Sequence, residues 1–210
     1  MNSSNNITMF IEMKTTGKPS YDWSDWSNCY IVQVVYIITQ GDRVIKNYDT
    51  IVNNMFYTSD QKHLNNHHIT EQIRIQQGIS IIDFFKEFEK DINNFNVKNI
   101  VSYSIFLNIG LLLKECLRNN IKIDFLSKLR YFDISFSPLY NSIKPINLEK
   151  CIATYNLPLI ELPTSQSKQI NISLYHNVIL YHSLYTATVP NIIMIIQFTY
   201  LKRKFYEQSL

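Results

Sequence analysis

From Tyr30 to Ile38 the chain reads Tyr-Ile-Val-Gln-Val-Val-Tyr-Ile-Ile, a run dominated by β-branched side chains. Such residues lose rotamer freedom in a helix and pack well on a pleated surface, so the run is a strand, long enough for the centre of a sheet. Gly41-Asp42 follows with the chemistry of a hairpin turn, and Val44 to Val52 is the returning strand. Upstream, Met9 to Met13 also reads as a strand, ended by the turn Thr15-Thr16-Gly17-Lys18-Pro19. The chain therefore opens on three antiparallel strands.

Helical spacing takes over later. Between Ile81 and Ile92 apolar residues recur three and four apart, with acids and lysines between them, which predicts an amphipathic helix. Asn99 to Tyr103 is a short buried strand, and Phe106 to Arg118 a second helix carrying Leu107, Leu111, Leu112 and Leu113. Asp124 to Leu129 is a short helix and Arg130 to Phe136 a further strand or loop. Asn147 has the chemistry of an N-cap for a helix reaching Leu157, and Leu174 to Thr186 is a long helix that Pro190 interrupts. Strands first, then alternating helices and strands, place the chain in the α/β or α+β class.

With 210 residues, 46% apolar and 18% charged, one sizeable domain is expected rather than a disordered tail. A formal net charge of +3 permits contact with nucleic acid without requiring it. Cys29, Cys116 and Cys151 are odd in number and widely spaced, so neither a disulfide framework nor a zinc site is expected. Met1 to Thr8 forms a polar leader unlike a secretory signal, which predicts an intracellular protein. The apolar run Ile192 to Ile196 is far shorter than the roughly 20 residues that span a bilayer, so no membrane association is expected.

The segment Phe10-Ile11-Glu12-Met13-Lys14-Thr15-Thr16-Gly17 resembles the opening strand and turn of the DEDDh 3′–5′ exonucleases, the family of the polymerase proofreading subunit, which read aromatic, Asp, apolar, Glu, Thr, Thr, Gly. Ile100 to Ile109 is similar to the family's strand-to-helix segment, with Tyr103-Ser104 at its His-Asn positions and Asn108 at its metal-binding Asp. Tyr175 to His182 is similar to the family's last helix, with His176 at the general base and Tyr181 at the final metal ligand. His67-His68-Ile69-Thr70, with Gly78-Ile79-Ser80 after it, is similar to the family's connection into a helix.

The resemblance implies an RNase H-like α/β fold: a mixed five-stranded sheet with helices on both faces, over residues 9–190. Residues 1–8 form the leader and 191–210 a helical extension with a basic end. It also implies a site where acids hold two Mg²⁺ or Mn²⁺ ions and a histidine deprotonates water. At the four acidic positions this chain carries Glu12, Lys14, Asn108 and Tyr181. An ammonium repels the cation that a carboxylate would hold, and an amide does not offset its charge. The expectation is a degenerate, catalytically inactive centre without a metal cofactor, in a protein that binds nucleic acid or serves a larger assembly.

Thr15, Thr16, Trp23, Trp26 and Tyr103 are the candidate contacts to a single-stranded DNA or RNA 3′ end. Loop tryptophans such as Trp23 and Trp26 more often cover a core edge or meet a protein partner than form a platform for a base. An ion pair between Glu12 and Lys14 would replace the metals structurally, and His176 would then be an ordinary packed histidine. Asp60, His63, His67 and His68 invite a metal reading that the family connection does not need, and Lys202-Arg203-Lys204 is a phosphate contact or a solvated terminus. The rival expectation is a working exonuclease in which other acids, such as Glu115, stand in for the lost ligands. An Ile-, Asn- and Tyr-rich composition suits an AT-rich coding sequence, and the resemblance extends to exonucleases of large DNA viruses, so a cytoplasmic or virion-associated protein is the expectation.

Overall fold

The computed structural model describes residues 7–17, 29–41, 43–54, 69–102 and 104–133. Strand β1 spans Ile7–Thr15, β2 Ile31–Gln40 and β3 Arg43–Asn53. A short helix, α1 (Glu71–Gln77), leads through the two-residue strand β4 (Ile79–Ser80) into α2 (Ile81–Asn94). Then come β5 (Asn99–Ser102), α3 (Ile105–Arg118), a single 3₁₀ turn (Leu126–Lys128) and β6 (Arg130–Asp133).

The strands form one mixed sheet in the order β4-β3-β2-β1-β5-β6. β1, β2 and β3 pair antiparallel, whereas β5 runs parallel to β1 and β6 parallel to β5. Five of these strands reproduce the sheet expected from the sequence; β4 makes a sixth. That strand is only Ile79 and Ser80, which pair parallel with Val52 and Asn53. Gly78 lets it come this close, because a Cβ there would meet the Asn53 side chain at 2.9 Å. β1 begins at Ile7, so Ile7 and Thr8 belong to the sheet rather than to a polar leader. They pair with Gln40 and Thr39, and the buried Asn99 side chain donates to the Thr8 hydroxyl at 3.3 Å.

β2 is buried from Ile31 to Thr39, as a strand with neighbours on both edges and cover on both faces must be. On β1, Met9, Phe10 and Ile11 are all buried although they alternate between the two faces. Met9, Ile11, Val34, Tyr36 and Ile38 face α2 and α3 in the main core, against Phe84, Phe88, Ile109 and Leu112. α2 buries Ile81, Phe84, Phe85, Phe88 and Ile92 at helical spacing, each stabilising by about 1.5–3 kcal/mol. The Ser80 hydroxyl caps this helix by accepting from the Asp83 N–H at 3.1 Å, and Thr70 caps α1 the same way at 3.2 Å.

One polar group crosses this core. The Tyr36 hydroxyl donates to the buried Asp91 carboxylate at 2.6 Å, and Lys46 lies 3.5 Å from the same oxygen. Burial, followed by the bond to Asp91, raises the Tyr36 pKa far above the ordinary phenol value, so it donates at any physiological pH. Tyr36→Phe leaves that carboxylate short of a donor at the α2–sheet contact. A loss of about 1–3 kcal/mol is expected by urea denaturation, and an unchanged midpoint would refute this account. Among the described residues no helix is long and apolar enough to cross a membrane.

Candidate functional site

The carboxyl ends of β1, β5 and β6 lie side by side, the place where open α/β sheets present ligand-binding groups. β1 delivers Glu12 there and β5 delivers Ser102. Ser104 then turns the chain into α3 with a left-handed backbone (φ 56°), an uncommon conformation for a residue with a side chain. Its N–H donates to the Asp133 carboxylate at 3.0 Å, so the end of β6 holds the turn in place. One helical turn further on, Asn108 faces back toward the strands.

These three side chains bond to one another. Ser102 Oγ donates to Glu12 Oε1 at 3.1 Å, Asn108 Nδ2 reaches Glu12 Oε2 at 3.4 Å, and Asn108 Nδ2 also donates to Ser102 Oγ. An ionised carboxylate only accepts, so Asn108 turns its NH₂ rather than its oxygen toward Glu12. Ser102 is fully buried and Asn108 nearly so. The fold thus brings Glu12 and Asn108, two of the residues singled out by the resemblance, together in space.

Lys14 follows two residues after Glu12 and leaves the same face of β1. It is half-buried; burial lowers its pKa from the ordinary lysine value, and the negative charge of Asp49 on β3 acts in the opposite sense. Asp49 in turn accepts from Gln33 Nε2 at 2.8 Å. Among the described residues a direct Glu12–Lys14 ion pair does not form: Glu12 takes bonds from Ser102 and Asn108, and Asp49 supplies the charge that acts on Lys14. The donor set here is one carboxylate already bonded to an N–H and an O–H, an amide presenting hydrogen, and an ammonium. Among the described residues, these three groups do not supply the several free anionic oxygens that a pair of divalent cations needs.

The turn after β1 is clasped to the start of β2. Thr16 N–H donates to the Tyr30 carbonyl at 3.0 Å, and the Tyr30 N–H donates to Thr16 Oγ1 at 3.0 Å. Thr15 Oγ1 donates to the Gly17 carbonyl at 2.5 Å. Thr16 is therefore buried and its hydroxyl fixes the turn, while Thr15 remains half-exposed.

Behind this turn lies a second polar cluster. Glu115, fully buried, accepts from Arg118 at 2.9 Å, from Asn54 at 3.3 Å and from Asn119 at 3.5 Å. Arg118 also donates to the Cys29 carbonyl at 2.7 Å and lies 4.1 Å over the Tyr30 ring. Glu115 stands two helical turns, about 10 Å, from Asn108. Its carboxylate is engaged by an arginine rather than open to a cation.

Trp23, Trp26, Tyr103, His176 and Tyr181 lie outside the described residues, as do Asp60, His63, His67, His68 and Lys202-Arg203-Lys204. Asp133 was not among the candidates read from the sequence. Its only signal was its place at the end of a strand that pairs with β5, where Ser102 lies opposite Asp133.

No protein-family model matches the sequence, and no curated protein matches it. Solved structures do match the fold. Exonuclease I of E. coli in complex with a dT13 oligonucleotide superimposes with a TM-score of 0.65 at 15% identity, over 86% of this chain and 41% of that one. An exonuclease I/SSB-Ct complex gives 0.66 at 13% identity, over 97% of this chain and 46% of that one. The nuclease domain of 3′hExo, a DEDDh family member bound to rAMP, gives 0.65 at 9% identity, over 86% of this chain and 92% of that one. The chain spans less than half the length of the exonuclease I chains it matches and nearly the whole of the 3′hExo nuclease domain. Strand order, the meeting of β1, β5 and α3, and these superpositions together show that the chain has the RNase H-like fold of the DEDDh exonucleases.

Proposed function

We propose that this chain is a single-stranded nucleic-acid-binding module built on an exonuclease fold, without metal-dependent hydrolysis at the Glu12 site. The observation that carries the proposal is the Glu12–Ser102–Asn108 cluster, with Lys14 on the same strand face. Both Glu12 oxygens accept hydrogen bonds from within the protein, and a cation stands where a second anion would be required. The ligand class rests on the fold neighbours, whose described complexes contain an oligonucleotide and a nucleotide.

Fluorescence anisotropy with labelled dT13, at two salt concentrations and with or without EDTA, tests both parts. Binding that weakens with salt and ignores EDTA is expected, with no shortening of the strand on a denaturing gel in Mg²⁺ or Mn²⁺. EDTA-sensitive shortening, lost on Glu12→Ala, would sink the non-catalytic reading. Absence of salt-dependent binding would sink the nucleic-acid reading and favour a protein-facing role.

A further inference from the structure

We infer that Lys14 is the group through which this chain holds a backbone phosphate of a single strand, an assignment that rests on the nucleic-acid reading above and names its anchoring residue. The first support is place. Lys14 lies at the carboxyl end of β1, beside Gln33 of β2, where a register shift between Lys14 and Thr15 opens the ladder just before the Thr15–Gly17 turn. A side chain there borders the Glu12 site.

The second support is the state of the groups around it. Each neighbouring acid has hydrogen bonds of its own: Glu12 from Ser102 and Asn108, Asp49 from Gln33, and Asp133 from the Ser104 N–H. The Lys14 ammonium differs. Asp49 acts on it through space, but among the described residues no hydrogen bond or ion pair engages it. A half-buried ammonium carries three donors and has given up part of its hydration, so an anion that reaches it supplies what the described residues do not.

The third support is the chemistry of the match. A lysine binds phosphate as a compact point charge and needs no bidentate geometry, which suits a strand whose bases are not being read. The charge of Asp49, which already acts on Lys14, opposes a second anion. The anchor therefore takes one phosphate.

The test is a salt series of labelled dT13 binding in EDTA for the parent, Lys14→Gln and Lys14→Arg, with thermal melts confirming that each variant is folded. Lys14→Gln is expected to weaken binding at low salt on the order of tenfold. It should also flatten the slope of log affinity against log salt by about 0.7, the value of one single-strand phosphate contact. Lys14→Arg should keep both affinity and slope. A Lys14→Gln protein with the parental slope would overturn the anchor while leaving strand binding intact. A parent that binds no strand at low salt would overturn both the anchor and the reading beneath it.

Discussion

The double substitution Lys14→Glu with Asn108→Asp will raise the affinity of this chain for a divalent cation at the Glu12 site. Glu12 and Asn108 already converge at the ends of β1 and α3, and Lys14 leaves the same strand face as Glu12. The change puts three carboxylates around one point and removes an ammonium from it. A unit charge about 4 Å from another is worth roughly 4 kcal/mol at an effective dielectric near 20, and a divalent ion doubles that. Mn²⁺ affinity, read by calorimetry, should rise at least a hundredfold over the parent. Stability offers a second readout. Without metal the three acids repel one another and Asp49, so the variant should melt below the parent in EDTA and recover on adding Mn²⁺. Equal Mn²⁺ affinity in parent and variant would mean that the lost ligands are not what keeps metal away.

Much of the fold was legible because its strongest signals are local. The run from Tyr30 to Ile38 is buried along nearly its whole length, and the spacing of Phe84, Phe85, Phe88 and Ile92 set α2 to within two residues. What escaped was set by tertiary context. β4 is two residues whose strand character comes only from pairing with Val52 and Asn53, made possible by the close approach at Gly78. α1 is seven largely polar residues, too short for a periodic pattern; the Thr70 cap and the buried Arg74, which donates to the Asn54 carbonyl, hold it in place.

The site shows the same division. Resemblance located Glu12 and Asn108, and the structure bonds them to each other. It could not show that Ser102 completes the cluster, or that Asp133, 29 residues beyond Ser104, holds the turn into α3, because strand register and a left-handed residue decide both. Glu115 shows how an ion-pair partner changes the reading of an acid. An acid on a largely apolar helix reads as a possible ligand, whereas in the fold its partner is Arg118, three residues along the same helix.

That pair carries the largest stability effect expected in the described core. Glu115 is fully buried, and Arg118 is the one cation bonded to it among the described residues. Arg118→Leu leaves an uncompensated buried charge, for which losses of about 3–5 kcal/mol are typical. The loss should depend on pH with a definite sign. Burial raises the Glu115 pKa above the ordinary carboxylate value, opposed by the charge and hydrogen bond of Arg118. Between its unfolded and folded pKa the native state binds more protons than the unfolded one, so stability falls as pH rises through that interval and levels off above it. Deleting Arg118 removes the opposing contributions, pushes the folded pKa higher and widens the interval. Denaturant melts should therefore show the full penalty of Arg118→Leu at the alkaline end and a smaller one toward pH 5, where the buried carboxyl takes up a proton. Adding Glu115→Gln to Arg118→Leu should restore most of the stability and abolish the pH dependence, because a neutral amide keeps bonds with Asn54 and Asn119 and has no charge to desolvate. A penalty for Arg118→Leu that stays constant from pH 5 to pH 9 would show that Arg118 acts through packing over Tyr30 and its bond to the Cys29 carbonyl, not through the charge of Glu115.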